Sequence, residues 1–371
     1  MTDPQQRDGT LAQRKALRAG CRRVQGHGAE RPADHLERLV AWCREHDIDY
    51  DCYGSGALIE DFESKVADLL GFPAARFVPS GKVAQNVAMR VWCERAKLLH
   101  FGMHPTSHLE HHEARAYAHL WGMRATLVGP SSSPMLAEHL QTVHEPLGAL
   151  LTELPIREAG GLLPTWEQLE DLKRATKDRG IRFHLDGARL WECAAHYGKS
   201  YAEICAGFDS VYVSFYKGIG ALSGSMLLGP EDFIAEAAIW QRRCGAVLFT
   251  LLPNVASAAM LLDERLARMG AYYDRTCAIA RALEGINGVR VLPREPHTNL
   301  VHIFVEREES DAHAARDRVA MEHGVWLFDR IHSADVPGWS RYEWYVGEAA
   351  CAIEIDELRE CFELLVTGAG H

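Results

Sequence analysis

Between about residues 58 and 262 the chain alternates helix-period segments with short apolar runs, and this rhythm restricts the fold more than any other feature. Residues 58–70 repeat apolar side chains at helical spacing, 76–79 is a short strand-like run, and 83–92 is helical again. A further helix is predicted over 165–176 and strands over 182–185 and 211–215, with 221–228 also strand-like. Helices alternating with short buried strands specify an α/β structure, a mixed and mostly parallel sheet with helices on both faces. Ligands of such sheets collect beyond the carboxyl ends of the strands. After Pro253 the rhythm changes. A long helical run (255–269) precedes strand-like 290–292 and 299–305, a helix at 311–323, a strand at 342–346 and a helix at 356–366. The expected organisation is therefore a polar, basic N-terminal arm (1–30), a large α/β domain (31–262) and a smaller α+β domain (263–371).

Charge and cysteine content narrow the class of function. Fifty-one acids against 40 bases give a net charge of −11, and no long basic run is present. Such a chain is a poor match to nucleic acid or an anionic membrane surface. No stretch reaches the ~18 apolar residues of a membrane helix, and residues 1–8 carry no apolar signal segment, so a cytoplasmic protein is expected. The ten cysteines are scattered without a C-x-x-C pair and read as reduced thiols, not a metal or disulfide frame. Only eight of the 40 basic residues are lysines, so a lysine in an unusual place is conspicuous.

One such lysine ends the apolar run Val211-Tyr212-Val213-Ser214-Phe215-Tyr216-Lys217-Gly218-Ile219-Gly220. Burying an ammonium is costly, and desolvation lowers a lysine's pKa until the amine becomes a usable nucleophile. A solvated turn lysine is the plainer alternative. A second candidate, Asp186, closes the short strand of His184-Leu185-Asp186-Gly187-Ala188-Arg189, where Asp before Gly also fits an Asx-turn. The pair carries more than either part. Pyridoxal phosphate (PLP) requires a lysine for its Schiff base and an acid that keeps its pyridine nitrogen protonated. Ser80-Gly81-Lys82, between a strand and a helix, forms an anion site from backbone N–H groups and the helix dipole, or else a plain cap. It is not a P-loop, because Arg76 and Val83 stand where glycine and Ser/Thr are needed. Nor is Gly218-Ile219-Gly220 a dinucleotide fingerprint, since Ser223 replaces the third glycine. In Thr106-Ser107-His108-Leu109-Glu110-His111-His112-Glu113, a capping box between Ser107 and Glu110 would place His108 on the first turn of a helix, able to stack on a flat cofactor. His108 and His112 at i, i+4 also suggest zinc, but no third ligand accompanies them and no metal is expected.

Taken together, Ser80-Gly81, His108 with Glu113, Asp186-Gly187-Ala188-Arg189, Lys217-Gly218-Ile219-Gly220 and Gly224-Ser225 resemble the threonine aldolase and aromatic amino acid β-eliminating lyase family of fold-type I PLP enzymes. The resemblance implies a PLP-dependent lyase acting on a small-molecule amino acid substrate. The reaction expected is retro-aldol cleavage of a β-hydroxy-α-amino acid to glycine and an aldehyde; β-elimination, β-replacement or racemisation on the same scaffold is the alternative, and a PLP-binding protein without turnover a third reading. It implies Lys217 as the Schiff-base lysine, Asp186 as partner of the pyridine nitrogen, and His108 as the ring that stacks and takes part in proton transfer. Ser80, Gly81 and Lys82 would bind the phosphate, Arg189 the substrate carboxylate, and Arg341 (or Arg330) would supply the second carboxylate-binding arginine. Tyr53 would reach the site of a neighbouring subunit in a homodimer or homotetramer with shared active sites. The sequence departs from the family at several points. Lys82 stands in place of threonine in the phosphate turn, Tyr216 in place of the serine before the lysine, and Glu153-Leu154-Pro155-Ile156-Arg157 in place of Glu-Asn-Thr-His.

Overall fold

The structure, a computed structural model, describes residues 4–28 and 30–367, with side chains from residue 12 onward. The chain divides into two compact units, Pro32–Met269 and a second built from the residues up to Arg31 together with those from Gly270. The helix Leu252–Leu283 continues unbroken through position 262, and the division falls within it.

The larger unit is built on a seven-stranded sheet: β1 (Ala74–Val78), β2 (His100–Met103), β3 (Arg124–Leu127), β4 (Ala149–Glu153), β5 (Arg182–Gly187), β6 (Ser210–Ser214) and β7 (Ser225–Gly229). Their order is β1-β7-β6-β5-β4-β2-β3, and only β7 pairs antiparallel with its neighbours. β1 therefore runs in the same direction as β6, and the ends of β1, β2, β4, β5 and β6 open onto one edge. Every residue of β4, β6 and β7 is buried, as strands covered by helices on both faces require.

Two helices set the site's frame. Ala57–Leu70 (α1) buries Ile59, Phe62, Val66 and Leu70, one stripe at helical spacing, and stops at Gly71 in the left-handed conformation. Gly81–Arg95 (α2) leaves the end of β1 and lays Ala84, Ala88, Val91 and Trp92 on the sheet. The Trp92 indole donates to Ser210 Oγ at 2.7 Å and its ring stacks on Phe233 at 4.5 Å, which ties α2 to β6. At the start of β7, Gly224 has φ 103° and a Cβ there would lie 2.2 Å from Phe77, so only glycine fits. Among the described residues no helix is long and apolar enough to cross a membrane.

The smaller unit holds a four-stranded antiparallel sheet, β8 (Val289–Leu292), β9 (Leu300–Val305), β10 (His332–Ser333) and β11 (Ser340–Tyr345), in the order β10-β11-β9-β8. Helices Glu309–His323 and Ile355–Thr367 pack Val319, Phe362 and Leu365 into its core with Ile303 and Trp344. The basic N-terminal segment belongs to this unit. Arg22–Arg23 pairs parallel with Val325–Trp326, the Trp344 indole donates to the Val24 carbonyl at 2.8 Å, and Arg14 and Arg18 form ion pairs with Asp317 and Asp329.

Candidate active site

Within the larger unit the chain ends of β1, β5 and β6 and the loop after β2 frame a small pocket lined by Gly81, Lys82, Gln85, His108, Asp186, Tyr212, Tyr216 and Lys217. Asp186 is the last but one residue of β5, in register with Tyr212 of β6 on one side and Glu153 of β4 on the other. Its Oδ1 accepts from the Ala188 N–H at 3.0 Å, so the Asx-turn forms. Its Oδ2 has no hydrogen-bond partner among the described residues, although the residue is 2% exposed.

Lys217 follows β6 by three residues and makes no hydrogen bond or ion pair within the described chain; Tyr216's ring, 5.8 Å from Nζ, is its nearest aromatic contact. Burial pushes the ammonium below the usual lysine range; Asp186 pulls it back, Arg189 pushes it down further, and Glu153 and Arg157 act in the same opposed sense. Burial raises Asp186 as well, with Lys217 as its main counterweight. Glu153 is raised to about 8, by burial first and then by the facing Asp186. Two carboxylates on neighbouring strand ends do not both ionise cheaply. Sequence reasoning did not select Glu153 as a site residue; its signal was an acid ending an otherwise apolar run.

The turn after β1 is built for close approach. Ser80 precedes α2 in an extended conformation, and its hydroxyl makes no capping bond. Gly81 is required by space: a Cβ there would lie 2.0 Å from the Tyr212 hydroxyl and 2.6 Å from its Cζ. The Tyr212 and Tyr216 hydroxyls, 3.5 Å apart, face the start of the helix. Lys82 donates to the His112 carbonyl at 3.1 Å. Beneath the cavity runs a buried polar chain, Gln85 Oε1 to His184 Nε2 (3.1 Å) and His184 Nδ1 to Ser210 Oγ (2.7 Å); burial lowers the His184 imidazole to about 3 and keeps it neutral.

His108 opens the helical turn His108–His111, as expected, but not through a capping box. The Ser107 hydroxyl is buried without a partner, and Glu110 turns instead to the Tyr117 hydroxyl (2.7 Å) and Arg115 (2.5 Å). His108 Nδ1 bonds Glu113 Oε1 at 2.9 Å, and Asn86 donates to the other carboxylate oxygen at 2.8 Å. A carboxylate at Nδ1 fixes the proton there and leaves the Nε2 lone pair free. His112 Nε2 is likewise 3.0 Å from Glu158 Oε1. Each histidine of the i, i+4 pair thus has a carboxylate partner, and among the described residues no group of three or more potential ligands clusters.

The remaining candidates do not line this pocket. Arg189 lies in the turn after β5 and pairs with the buried Glu192 at 3.3 Å. Arg341 is on β11 of the smaller unit, in register with Phe304 and His332, and Arg330 is exposed just before β10. Tyr53, in the larger unit, has φ 50° and is 57% exposed; its N–H donates to the Phe249 carbonyl at 2.9 Å and its ring meets Phe249 edge-on. Asp51 locks the two loops together, its carboxylate accepting from Thr250 Oγ1 (2.6 Å) and the Leu251 N–H (2.8 Å).

The sequence profile of the beta-eliminating lyase family matches residues 48–308, a span that contains every side chain of this cavity. The chain belongs to that family. Among relatives of this beta-eliminating lyase family member, low-specificity L-threonine aldolase 1 of Arabidopsis thaliana is 26% identical over 318 residues, 82% of this chain and 87% of that protein. An uncharacterised Caenorhabditis elegans protein is 28% identical over 260 residues, which span 68% of this chain and 62% of that one. A solved structure from Listeria monocytogenes with a provisional L-allo-threonine aldolase assignment superimposes with a TM-score of 0.89 at 35% identity, covering 95% of this chain and 98% of its own. The family member described here therefore has the fold-type I architecture, with its reversed β7 beside β1.

Proposed function

We propose that this chain is a PLP-dependent lyase that cleaves a β-hydroxy-α-amino acid into glycine and an aldehyde. The observation that carries the reading is Lys217, an amine held at a strand end without an ion pair and with its pKa lowered, beside the buried Asp186. The aldolase names among its relatives favour carbon–carbon cleavage over elimination, replacement or racemisation.

The residues present fit the cofactor. Asp186, 2% exposed, keeps an Oδ2 without a hydrogen bond, and at Gly81 the first turn of α2 is met by the Tyr212 hydroxyl. When bound, PLP supplies an aldehyde for amines and a ring that accepts electrons from a breaking bond at Cα. Lys217 would hold that aldehyde and Asp186 the ring nitrogen. Ser80, the α2 N–H groups, Lys82 and the Tyr212 and Tyr216 hydroxyls would hold the phosphate. His108, fixed by Glu113, would cover the ring and move protons at its free Nε2. Arg189 would hold the substrate carboxylate, which selects the bond aligned for cleavage. The exposed platform of Tyr50, Tyr53, Leu248 and Phe249 would meet a second copy, bringing Tyr53 to the neighbour's site.

Absorbance and borohydride trapping test the proposal. The protein should take up PLP, borohydride should fix the label to Lys217, and phenylserine should yield benzaldehyde. Lys217→Ala should lose both the covalent label and turnover. A parent that takes up no PLP, or a Lys217→Ala protein that borohydride still labels in the site, sinks the assignment.

A further inference from the structure

Cleavage of the Cα–Cβ bond of a β-hydroxy-α-amino acid demands a base for the β-hydroxyl, and the proton transfer given to His108 at the ring face has not been assigned to that hydroxyl. Lys217 is assigned to the cofactor, and His108 covers its ring. One imidazole remains near the mouth. The His112 ring lies 5.1 Å from that of His108, and its backbone carbonyl is anchored by Lys82, a residue of the cavity wall. His111 lacks a carboxylate partner among the described residues; its Nε2 bonds the Pro105 carbonyl at 2.8 Å.

His112 also has the partner a base needs. Glu158 comes from the turn Arg157–Ala159, four residues beyond the end of β4, whereas His112 comes from the loop after β2; these strands are neighbours in the sheet, so the 3.0 Å contact spans the two loops at the site's edge. The same carboxylate bonds Arg157 Nη1 at 3.2 Å, and Arg157 donates its N–H toward Glu153 at 3.4 Å, so the dyad connects with the acids beside Lys217. A carboxylate can only accept, so Nε2 carries the hydrogen and Nδ1 presents the lone pair. Among the described residues nothing bonds His112 Nδ1.

We propose that His112, oriented by Glu158, is the catalytic residue that takes the proton of the substrate's β-hydroxyl, an assignment that rests on the aldolase reading above. In the step the O–H bond breaks and its proton passes to His112 Nδ1. The oxygen's electron pair forms the C=O bond of the departing aldehyde, and the Cα–Cβ pair stays with the glycine fragment. Glu158 is a positioning residue that holds the imidazole tautomer and bears the charge opposite the imidazolium.

The experiment uses the PLP-loaded parent, His112→Asn and Glu158→Gln, with three readouts: PLP affinity by absorbance titration, aldehyde release from phenylserine, and exchange of glycine α-protons in D2O followed by NMR. Glycine has no β-hydroxyl, so its exchange does not call on the proposed base. In His112→Asn, aldehyde release should fall by about 10²–10⁴-fold, the usual worth of a general base, while PLP affinity and glycine exchange hold at parent values. Glu158→Gln should lower aldehyde release less, and should cost nothing further once His112 is Asn. Aldehyde release at the parent rate in His112→Asn overturns the assignment, and so does a fall in exchange and PLP affinity in step with release. A parent that exchanges glycine protons but releases no aldehyde instead overturns the aldolase reading, and this assignment with it.

Discussion

Gly81→Ala tests the claim that the phosphate turn is shaped by close packing. Two effects oppose each other. Removing glycine from a helix favours the helix by up to ~1 kcal/mol, and less at the first position. Against that, the new methyl lies 2.0 Å from the Tyr212 hydroxyl, 2.6 Å from Cζ and 2.9 Å from Cε2, where ordinary contact begins at 3.4 Å. Tyr212 cannot retreat easily, since it is 2% exposed and its backbone is paired on β6 between Asp186 and Leu227. Overpacking of this kind costs ~1–3 kcal/mol, and three overlapping atoms place it at the upper end, so a net loss of about 2 kcal/mol is expected. Urea unfolding of the apoprotein reads that loss, and PLP titration should show affinity weakened by about tenfold or more as the turn shifts. Gly81→Ala combined with Tyr212→Leu should recover most of the added cost, whereas Tyr212→Phe should recover little, because Cζ and Cε2 remain. A Gly81→Ala protein as stable as the parent, or one equally destabilised in the Tyr212→Leu background, refutes the packing argument.

Two further outcomes follow from the described geometry. Glu153 stays protonated in the fold up to about pH 8 but ionises near its ordinary 4.5 when unfolded, so the native state binds more protons across that window and stability declines as pH rises through it. Glu153→Gln should remove that slope, so that its advantage in Tm over the parent grows from pH 4.5 to 8; parallel curves would show that Glu153 ionises normally. On the proposal that the Tyr53 platform meets a second copy, Phe249→Glu, at a side chain 67% exposed there, should lower the sedimentation coefficient and depress turnover; an unchanged coefficient would remove the platform from any interface.

What the sequence disclosed follows the range of the interactions. β5, β6 and the long helices are legible because their apolar periods are local, and Lys217 and Asp186 stand out because charged residues end apolar runs. β2 and β3 have four residues each and no alternation, and Ala149–Glu153 is buried throughout, so none carries a strand period. The helix at His108 was legible, but its stabilisation was not: Glu110 finds Tyr117 and Arg115 while Ser107 stays unbonded. His112 pairs with an acid 46 residues away, and Glu153 is raised by burial and by the Asp186 that faces it on the neighbouring strand. Neither relation has a local signature. The basic N-terminal residues read as an arm, but the partners that pair with Arg14 and Arg18 lie some 300 positions later.

The Asp51 latch has a temporal meaning. Its partners, Thr250 and Leu251, lie about 200 positions downstream, and all seven strands of the large sheet fall between them. Closing so long an interval is entropically expensive in an unfolded chain, though the cost grows only slowly with length. Pairing of the strands between them shortens that interval, so Tyr53 and Phe249 come together at lowest cost once the sheet has closed. A chain truncated before β7 carries Tyr53 without Phe249 and never the joined platform. If a second copy docks on that surface as proposed, its docking would call for the completed larger unit, and one carboxylate would couple assembly to finished folding.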